Sequence, residues 1–592
     1  MNAISLRTIC LLFGSALCLL SIGQSEAKDN ELVGMWEGKR IAGPEIQGDI
    51  IITRESDRWR IDLSGYNLSI PLREGKRSTE LSFSIPGGLG SFNGKLDPAS
   101  HQVRGYWTQP STINNGMPYA SPVILTPDSD NRWRGKIVPM PDEFSVFLPV
   151  WEREDGALGA FFRNPDRGFG VFYNVDRVER KGDSVRWLGR FFRDKKETVL
   201  VEAQYQPGRM SVDIRGNLYD LRLTPDDNHS HFYARGKNPE PYDYIPPPEI
   251  PGDGWSVSSL GAEKISEQGI SNFIEQVILP AADSIDDPYI HGVLIARSGR
   301  LVLEEYFHGF HRNKAHDTRS ASKSLASVLV GAAIHNGIDL ELGDPVFVQK
   351  VLGKEAEGVV GVDPRRQRIT LEHLLTMSSG LDCDDSDASS KGNEDTMQSQ
   401  QEQNDWYRYT AHLDMVREPG EKAVYCSGGI NLVGAVLAAA SGRSIEELFF
   451  DFIAKPLQID HYYLNLSPTG QPYLGGGIYW KPRDFMKLGQ LMLNKGIWNG
   501  QRIISEDFAE DSISTKYKMA NRGYGYAWWI TRYPYKNRQV EAFFAGGNGG
   551  QIVMGIPDLD LLVAFYAGNY SHKTFRKIQQ EFVPQYILPA LN

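Results

Sequence analysis

The sequence predicts a multi-domain chain: an all-β front region made of two repeated units, each a barrel or sandwich, followed by a mixed α/β domain. Three observations carry this. With 592 residues the chain is too long for one hydrophobic core. Two phrases recur at nearly one offset in the front half. A proline-rich stretch then separates the front from a region with a different residue pattern.

The repeat is read from its ends. Gly-Met-Trp-Glu-Gly-Lys at 34–39 resembles Arg-Trp-Arg-Gly-Lys at 132–136, with Trp36 and Trp133 97 positions apart. Leu-Thr-Pro-Asp occurs at 125–128 and again at 223–226, 98 apart. Matched beginnings and endings argue for two copies, assigned to 28–128 and 129–237. Within them Trp59–Leu63, Leu81–Ile85 and Met210–Ile214 alternate apolar and polar residues, the period of a strand with one face in a core. Pro86-Gly87-Gly88 and Asn164–Gly168 read as hairpin turns. No catalytic cluster appears here, and His229 and His231 read as a solvated loop. From Asn238 to Gly254 the density of proline excludes regular structure and predicts a stiff connector.

Composition narrows the functional classes. Hydrophobic residues at 41% and charged residues at 23% exclude general disorder. A net charge of −11 gives no electrostatic reason to bind nucleic acid or an anionic membrane. At the start, Arg7 precedes an apolar run at 8–22, and Ser25-Glu26-Ala27 offers small residues for a signal peptidase. Residues 1–27 are therefore expected to be a cleaved export signal, and the mature protein to be periplasmic or secreted without a membrane span. Cys18 lacks the small preceding residue of a lipoprotein anchor. Cleavage leaves two cysteines, Cys383 and Cys426. Spacing does not choose between a disulfide and two separate thiols.

Beyond the linker the pattern becomes α/β over 255–592. Gly292–Arg297, Ser298-Gly299-Arg300 and Leu301–Glu304 read as strand, turn, strand. Thr318–Val330 then opens a helix, with Leu325, Val328, Leu329 and Ala332 at helical spacing. Ser320 and Lys323, three apart, share one face of it, so hydroxyl and amine can meet. The helix start favours an oxyanion, and a lysine desolvated there can be neutral enough to take a proton. Alone, Ser-x-x-Lys is a weak signal: Ser25-x-x-Lys28 also matches, at the predicted cleavage site.

Context makes the signal specific. Arg319-Ser320-Ala321-Ser322-Lys323-Ser324 is followed in order by Ile369–Leu381, Pro419–Ser427 with Asn431–Gly434, Gly475-Gly476-Gly477, Arg483-Asp484, Lys487–Gln490 and Ala545–Gln551. From about Asp253 to the end, the chain resembles the serine β-lactamase and penicillin-binding-protein superfamily. Within it the match is to the class C-like branch with family VIII carboxylesterases and 6-aminohexanoate-dimer hydrolases. The resemblance implies an antiparallel sheet with helices on both faces plus an all-helical lobe. It puts the nucleophile at Ser320, its lysine at Lys323 and the catalytic tyrosine at Tyr425. It puts the oxyanion hole at the N–H groups of Ser320 and Gly547, with Asn548 one residue away.

Two departures bear on substrate. Ser427 stands where the family has Asn. Phe544-Ala545-Gly546 stands where penicillin-recognising members have Lys-Thr-Gly, so the cation that holds a carboxylate is missing. Ser427, Phe544, Gly546 and Asn548 are the expected pocket residues, and a small-molecule ester or amide is the expected substrate. No cofactor or metal is implied. A Cys383–Cys426 bridge is expected and would pin the loop that carries Tyr425. The polar stretch Cys383–Asn404 reads as a solvated loop, with a lid over the site as the alternative. A hydrolase and a catalytically idle module that binds acyl or peptide ligands are both compatible with the sequence. An intact Ser320, Lys323 and Tyr425 favours the first.

Overall fold

The computed structural model describes residues 30–592, apart from 42–45, 73–78, 112–115, 142, 166, 193, 225–227, 347–358, 360 and 401–403. The predicted export signal at 1–27 lies outside the described residues.

The front region is all β. Strand Gly34–Ile41 and the strands between Glu143 and Thr224 form a closed barrel of eight antiparallel strands. Its interior is filled by alternate side chains including Trp36, Phe144, Val146, Leu148, Trp187, Met210, Val212 and Leu221. The strands between Gly48 and Ile137 repeat that neighbour order around Trp59, Phe92, Trp107 and Trp133, except that among the described residues Tyr66–Pro71 and Glu80–Ser84 are not paired and the ring stays open there. Alternation holds where it was read: Trp59, Ile61 and Leu63 are buried between exposed neighbours, as are Met210, Val212 and Ile214.

The two repeats exchange their first strands. Gly34–Ile41 opens the first repeat in sequence, yet it pairs with Glu143–Glu152 and Asn217–Thr224 of the second barrel. Its counterpart Arg132–Ile137 pairs with Gly48–Arg54 and Tyr119–Ser129 of the first unit. The packing units are therefore 48–137, and 34–41 together with 143–224, rather than 28–128 and 129–237. Hydrogen-bonding partners define the units, and the sequence offset cannot show which copy a strand joins. Asn164–Gly168 is not a hairpin turn either. Asn164 is buried, its Oδ1 accepts from the N–H groups of Arg167 and Phe169, and the chain enters a short helix at Phe169–Phe172.

Residues 238–254 carry no regular structure but lie along the following domain. The Tyr242 hydroxyl donates to Glu305 at 2.8 Å and that of Tyr244 to the Val302 carbonyl at 2.7 Å. Arg483, buried, donates to Asp253, to both oxygens of Glu304 and to the Pro248 carbonyl. A buried arginine with this many acceptors fixes the path of the connector.

The α/β domain is built on a nine-stranded sheet, antiparallel except for its first pair, Ser256–Val257 with Arg300–Tyr306. The turn joining Ile290–Arg297 to Arg300–Tyr306 has positive φ at Ser298 and Gly299, the two-residue geometry that suits the twist of a hairpin. One face is covered by Glu267–Phe273 and the terminal helix around Phe582, Ile587 and Leu588. The other is covered by the helices Lys323–His335 and Pro482–Leu493. A lobe of short helices, with Ser427–Ser441 at its centre, completes the domain. Among the described residues no helix is long and apolar enough to cross a membrane.

Front and back are joined by a continuous sheet. Tyr119–Ser129 of the first β unit pairs with Tyr462–Asn465, which pairs with Ile478–Trp480, which pairs with His316–Asp317. The last of these strands ends three residues before Ser320.

Candidate functional site

Ser320 sits in a tight turn, Arg319–Ser322, that leads into the helix Lys323–His335. The turn is entered through Arg319, whose φ of 48° is an uncommon conformation for a side-chain-bearing residue. Asp317 holds it there: its carboxylate accepts from the Arg319 N–H at 2.9 Å and pairs with the guanidinium at 2.8 Å. The Ser322 hydroxyl closes the turn by donating to the Arg319 carbonyl at 2.7 Å.

Lys323 is buried, and its Nζ donates to Ser320 Oγ at 2.9 Å and to the Gly475 carbonyl. It also lies 5.1 Å from the centre of the Tyr425 ring. Burial pulls the amine's pKa down, while Tyr425, then Glu394 and Asp385, push it up, and the amine stands above its ordinary value.

Tyr425 is carried by the segment before the helix Ser427–Ser441. Gly420, at φ 81°, makes the bend, and its N–H donates to the Ser378 carbonyl at 2.8 Å. The Val424 N–H donates to the Met377 carbonyl at 2.9 Å. The phrase Met377–Leu381 is therefore the cradle of the tyrosine segment. Cys426 is disulfide-bonded to Cys383.

Within the stretch Cys383–Asn404, residues 383–394 are tied to the Tyr425 segment while 386–389 stay exposed. Cys383 is buried, and the Asp385 N–H donates to the Tyr425 carbonyl at 2.9 Å. Asp385 Oδ2 accepts from the Ser427 N–H at 2.9 Å and from its hydroxyl at 2.6 Å. Burial, then the nearby Glu394, raise the Asp385 carboxyl to about 6. Glu394 in turn accepts from the Tyr473 hydroxyl at 2.6 Å. Among the described residues no group of three or more His, Cys, Asp or Glu side chains has a metal-binding arrangement.

Gly547 ends strand Arg538–Gly547 against the nucleophile turn: a Cβ there would stand 2.4 Å from the Thr318 carbonyl oxygen and 3.0 Å from the Ala321 nitrogen. Only glycine permits that approach. The expected pocket residues are placed differently. Ser427 is fully buried and its hydroxyl is committed to Asp385, so it offers no surface to a substrate. Phe544 is buried, with the ring of Trp529 stacked on it at 6.4 Å. Trp529, half-buried, also stacks on Tyr425 at 5.8 Å, so the aromatic wall beside the tyrosine is Trp529. Gly546 is half-exposed beside the Phe544 ring. The exposed Asn548 turns its Oδ1 to the Ser571 N–H at 2.7 Å. Sequence reasoning missed Asp385 and Glu394 as parts of the site, and left Trp529 open between core and pocket wall. For Asp385 a signal existed, since the expected disulfide at Cys383 already drew its neighbour toward Tyr425.

A serine, a buried lysine and a tyrosine meet at the end of strand Arg538–Gly547, between the α/β layer and the helical lobe, the arrangement expected from the resemblance to serine β-lactamases. Residues 288–578 match the family model described as beta-lactamase. The chain is similar to the 6-aminohexanoate-dimer hydrolase of Paenarthrobacter ureafaciens, 22% identical over 48% of this chain and 78% of that protein. A family VIII carboxylesterase structure is 14% identical, covering 57% of this chain and 99% of its own, with a TM-score of 0.42. The octameric penicillin-binding protein homologue from Pyrococcus abyssi is 20% identical over 56% of this chain and 80% of its own, with a TM-score of 0.39.

Proposed function

We propose that this protein is an exported serine hydrolase that cleaves a small ester or amide through an acyl-enzyme on Ser320. The observation that carries the reading is the contact of Lys323 Nζ with Ser320 Oγ at 2.9 Å while the same nitrogen lies 5.1 Å from the centre of the Tyr425 ring. Lys323 and Tyr425 act together as the proton acceptor, a coupled pair that shares one vacant proton site. The Ser320 proton passes to this pair as Oγ bonds to the substrate carbonyl carbon. The tetrahedral oxyanion is stabilised by the backbone at Ser320 and Gly547. Tyr425 returns the proton to the departing alcohol or amine as the carbonyl re-forms. It then takes a proton from the water that attacks the acyl-enzyme, and Ser320 leaves with that proton.

The test is Ser320→Ala in purified protein, with aryl-ester turnover and covalent fluorophosphonate labelling as readouts. Both should vanish. Labelling that persists in Ser320→Ala and disappears in Ser322→Ala would refute the assignment. A wild-type protein that neither turns over nor labels would favour the idle-module reading instead.

A further inference from the structure

We propose that Asp385 is a positioning residue that grips the Tyr425–Ser427 segment from both sides and so holds the proton-accepting oxygen at Ser320 and Lys323. The inference rests on the hydrolase reading above and adds to it how the acceptor is held.

Three contacts make the grip. The Asp385 N–H holds the carbonyl of Tyr425 at 2.9 Å, while its Oδ2 holds the N–H and hydroxyl of Ser427 at 2.9 and 2.6 Å. The Cys383–Cys426 bridge fastens the same two segments one or two residues away. The remaining Oδ1 accepts from the Glu394 N–H at 3.0 Å, which ties the grip to the helix Glu394–Gln398. Tyr425 therefore cannot shift along the sheet edge without breaking bonds to Asp385.

Asp385 carries more than geometry. An asparagine has a single acceptor oxygen, so it could hold Ser427 or the Glu394 N–H but not both, and only the carboxylate serves the two sides at once. Its charge also acts on Lys323, whose amine pKa Glu394 and Asp385 help to raise. The titratable groups around Asp385 are Lys323 from the nucleophile helix, Glu394 from its own short helix and Tyr473 from the segment before Gly475. Asp385 does not contact Ser320 and acts through Tyr425 and Lys323.

The experiment compares wild type with Asp385→Asn, Asp385→Ala and Ser427→Ala, measuring kcat and KM for p-nitrophenyl butyrate from pH 5 to 9. Asp385→Asn, which keeps one acceptor oxygen and removes the charge, should lower kcat roughly 10-fold with KM within about twofold. It should also erase the kcat inflection expected near the Asp385 value of about 6. Asp385→Ala, which removes both, should lose roughly 100-fold. Ser427→Ala keeps the N–H and the fold's main bonds and should lose roughly threefold to tenfold in kcat alone. Asp385→Ala within twofold of wild type, or an unchanged pH profile in Asp385→Asn, overturns the proposal. If the Asp385 variants fail to fold, wild-type kcat in Ser427→Ala overturns it. Wild-type protein without Ser320-dependent turnover means that the hydrolase reading itself has failed, and this proposal falls with it.

Discussion

Removing the Cys383–Cys426 bridge should cost both stability and turnover, and the two costs can be worked separately. The cysteines are 43 apart in sequence, and closing a loop of that length removes about 4 kcal/mol of unfolded-state entropy in the chain-entropy model. Cys426 Sγ also accepts from the Gly429 N–H at 3.1 Å, a cap on the helix Ser427–Ser441 that adds about 1 kcal/mol. The double variant Cys383→Ala/Cys426→Ala should therefore lose about 5 kcal/mol in the catalytic domain, a fall in Tm on the order of 5–10 °C for a domain of this size. Alanine avoids burying new hydroxyls at two positions that are 2% and 3% exposed. Differential scanning calorimetry of the whole chain reads the shift, since the front barrels form their own cores. The bridge fastens the Asp385 and Tyr425 segments together, so kcat should drop while KM holds. Two free thiols titrated in unreduced, denatured mature protein would refute the premise. A double variant that melts within 2 °C of wild type at full kcat would refute the reasoning even with the bridge present.

Two further outcomes follow from the site. The resemblance puts Phe544, which Trp529 covers, at the position of the lysine in penicillin-recognising members, so that position itself supplies no cation for a carboxylate. The kcat/KM for p-nitrophenyl butyrate should exceed that for nitrocefin by roughly 100-fold or more, the scale of a lost charge-assisted pair in a desolvated site. Equal or better nitrocefin turnover would show that another cation, with Arg522 over the Phe544 ring at 5.5 Å the first to test, has replaced it. The Asp385 carboxyl is raised to about 6 in the fold against 3.8 outside it. The folded state then binds the proton more tightly than the unfolded state, so this group stabilises the fold below the unfolded value and the gain is lost as pH rises through the folded one. Between pH 4 and 7 the change amounts to about 3 kcal/mol. Urea unfolding at several pH values should show wild type losing stability relative to Asp385→Asn across that window, and a pH-independent difference would contradict the assignment.

The parts of this fold legible in the sequence are those set by local pattern. Trp59–Leu63 and Met210–Ile214 announce half-buried strands because period two is a property of the strand itself. Ser320 and Lys323 are legible because three residues along a helix start bring two side chains together without help from elsewhere. What stayed hidden depends on which distant segment an edge or a polar atom meets. The exchange of Gly34–Ile41 and Arg132–Ile137 leaves the repeat offset unchanged. The role of Ser427 was misread because its hydroxyl has two possible directions, toward a substrate or toward Asp385, and burial decides between them. The surroundings of Lys323 stayed hidden for a related reason: desolvation is legible at a helix start in a core, but Tyr425 and the carboxylates that oppose it, Asp385 and Glu394, come from far along the chain, the carboxylates from 62 and 71 residues away.

The front β region bears on the site through two physical paths, which argues against a detachable module. The first is the sheet that runs from Tyr119–Ser129 through Tyr462–Asn465 and Ile478–Trp480 to His316–Asp317. Asp317 is the residue that holds Arg319 at positive φ, so the last strand of this sheet sets the backbone on which Ser320 is mounted. The second path is side-chain packing. Met117, just before Tyr119, packs with Met397, Trp406 and Tyr473, and the Tyr473 hydroxyl donates to Glu394. Glu394 is one of the two carboxylates that help to raise the Lys323 amine's pKa. The interiors of both β units are filled by their own side chains. Their contribution to the site is thus made from their edges, where the first unit supplies a strand to the nucleophile's sheet and a wall to the helical lobe.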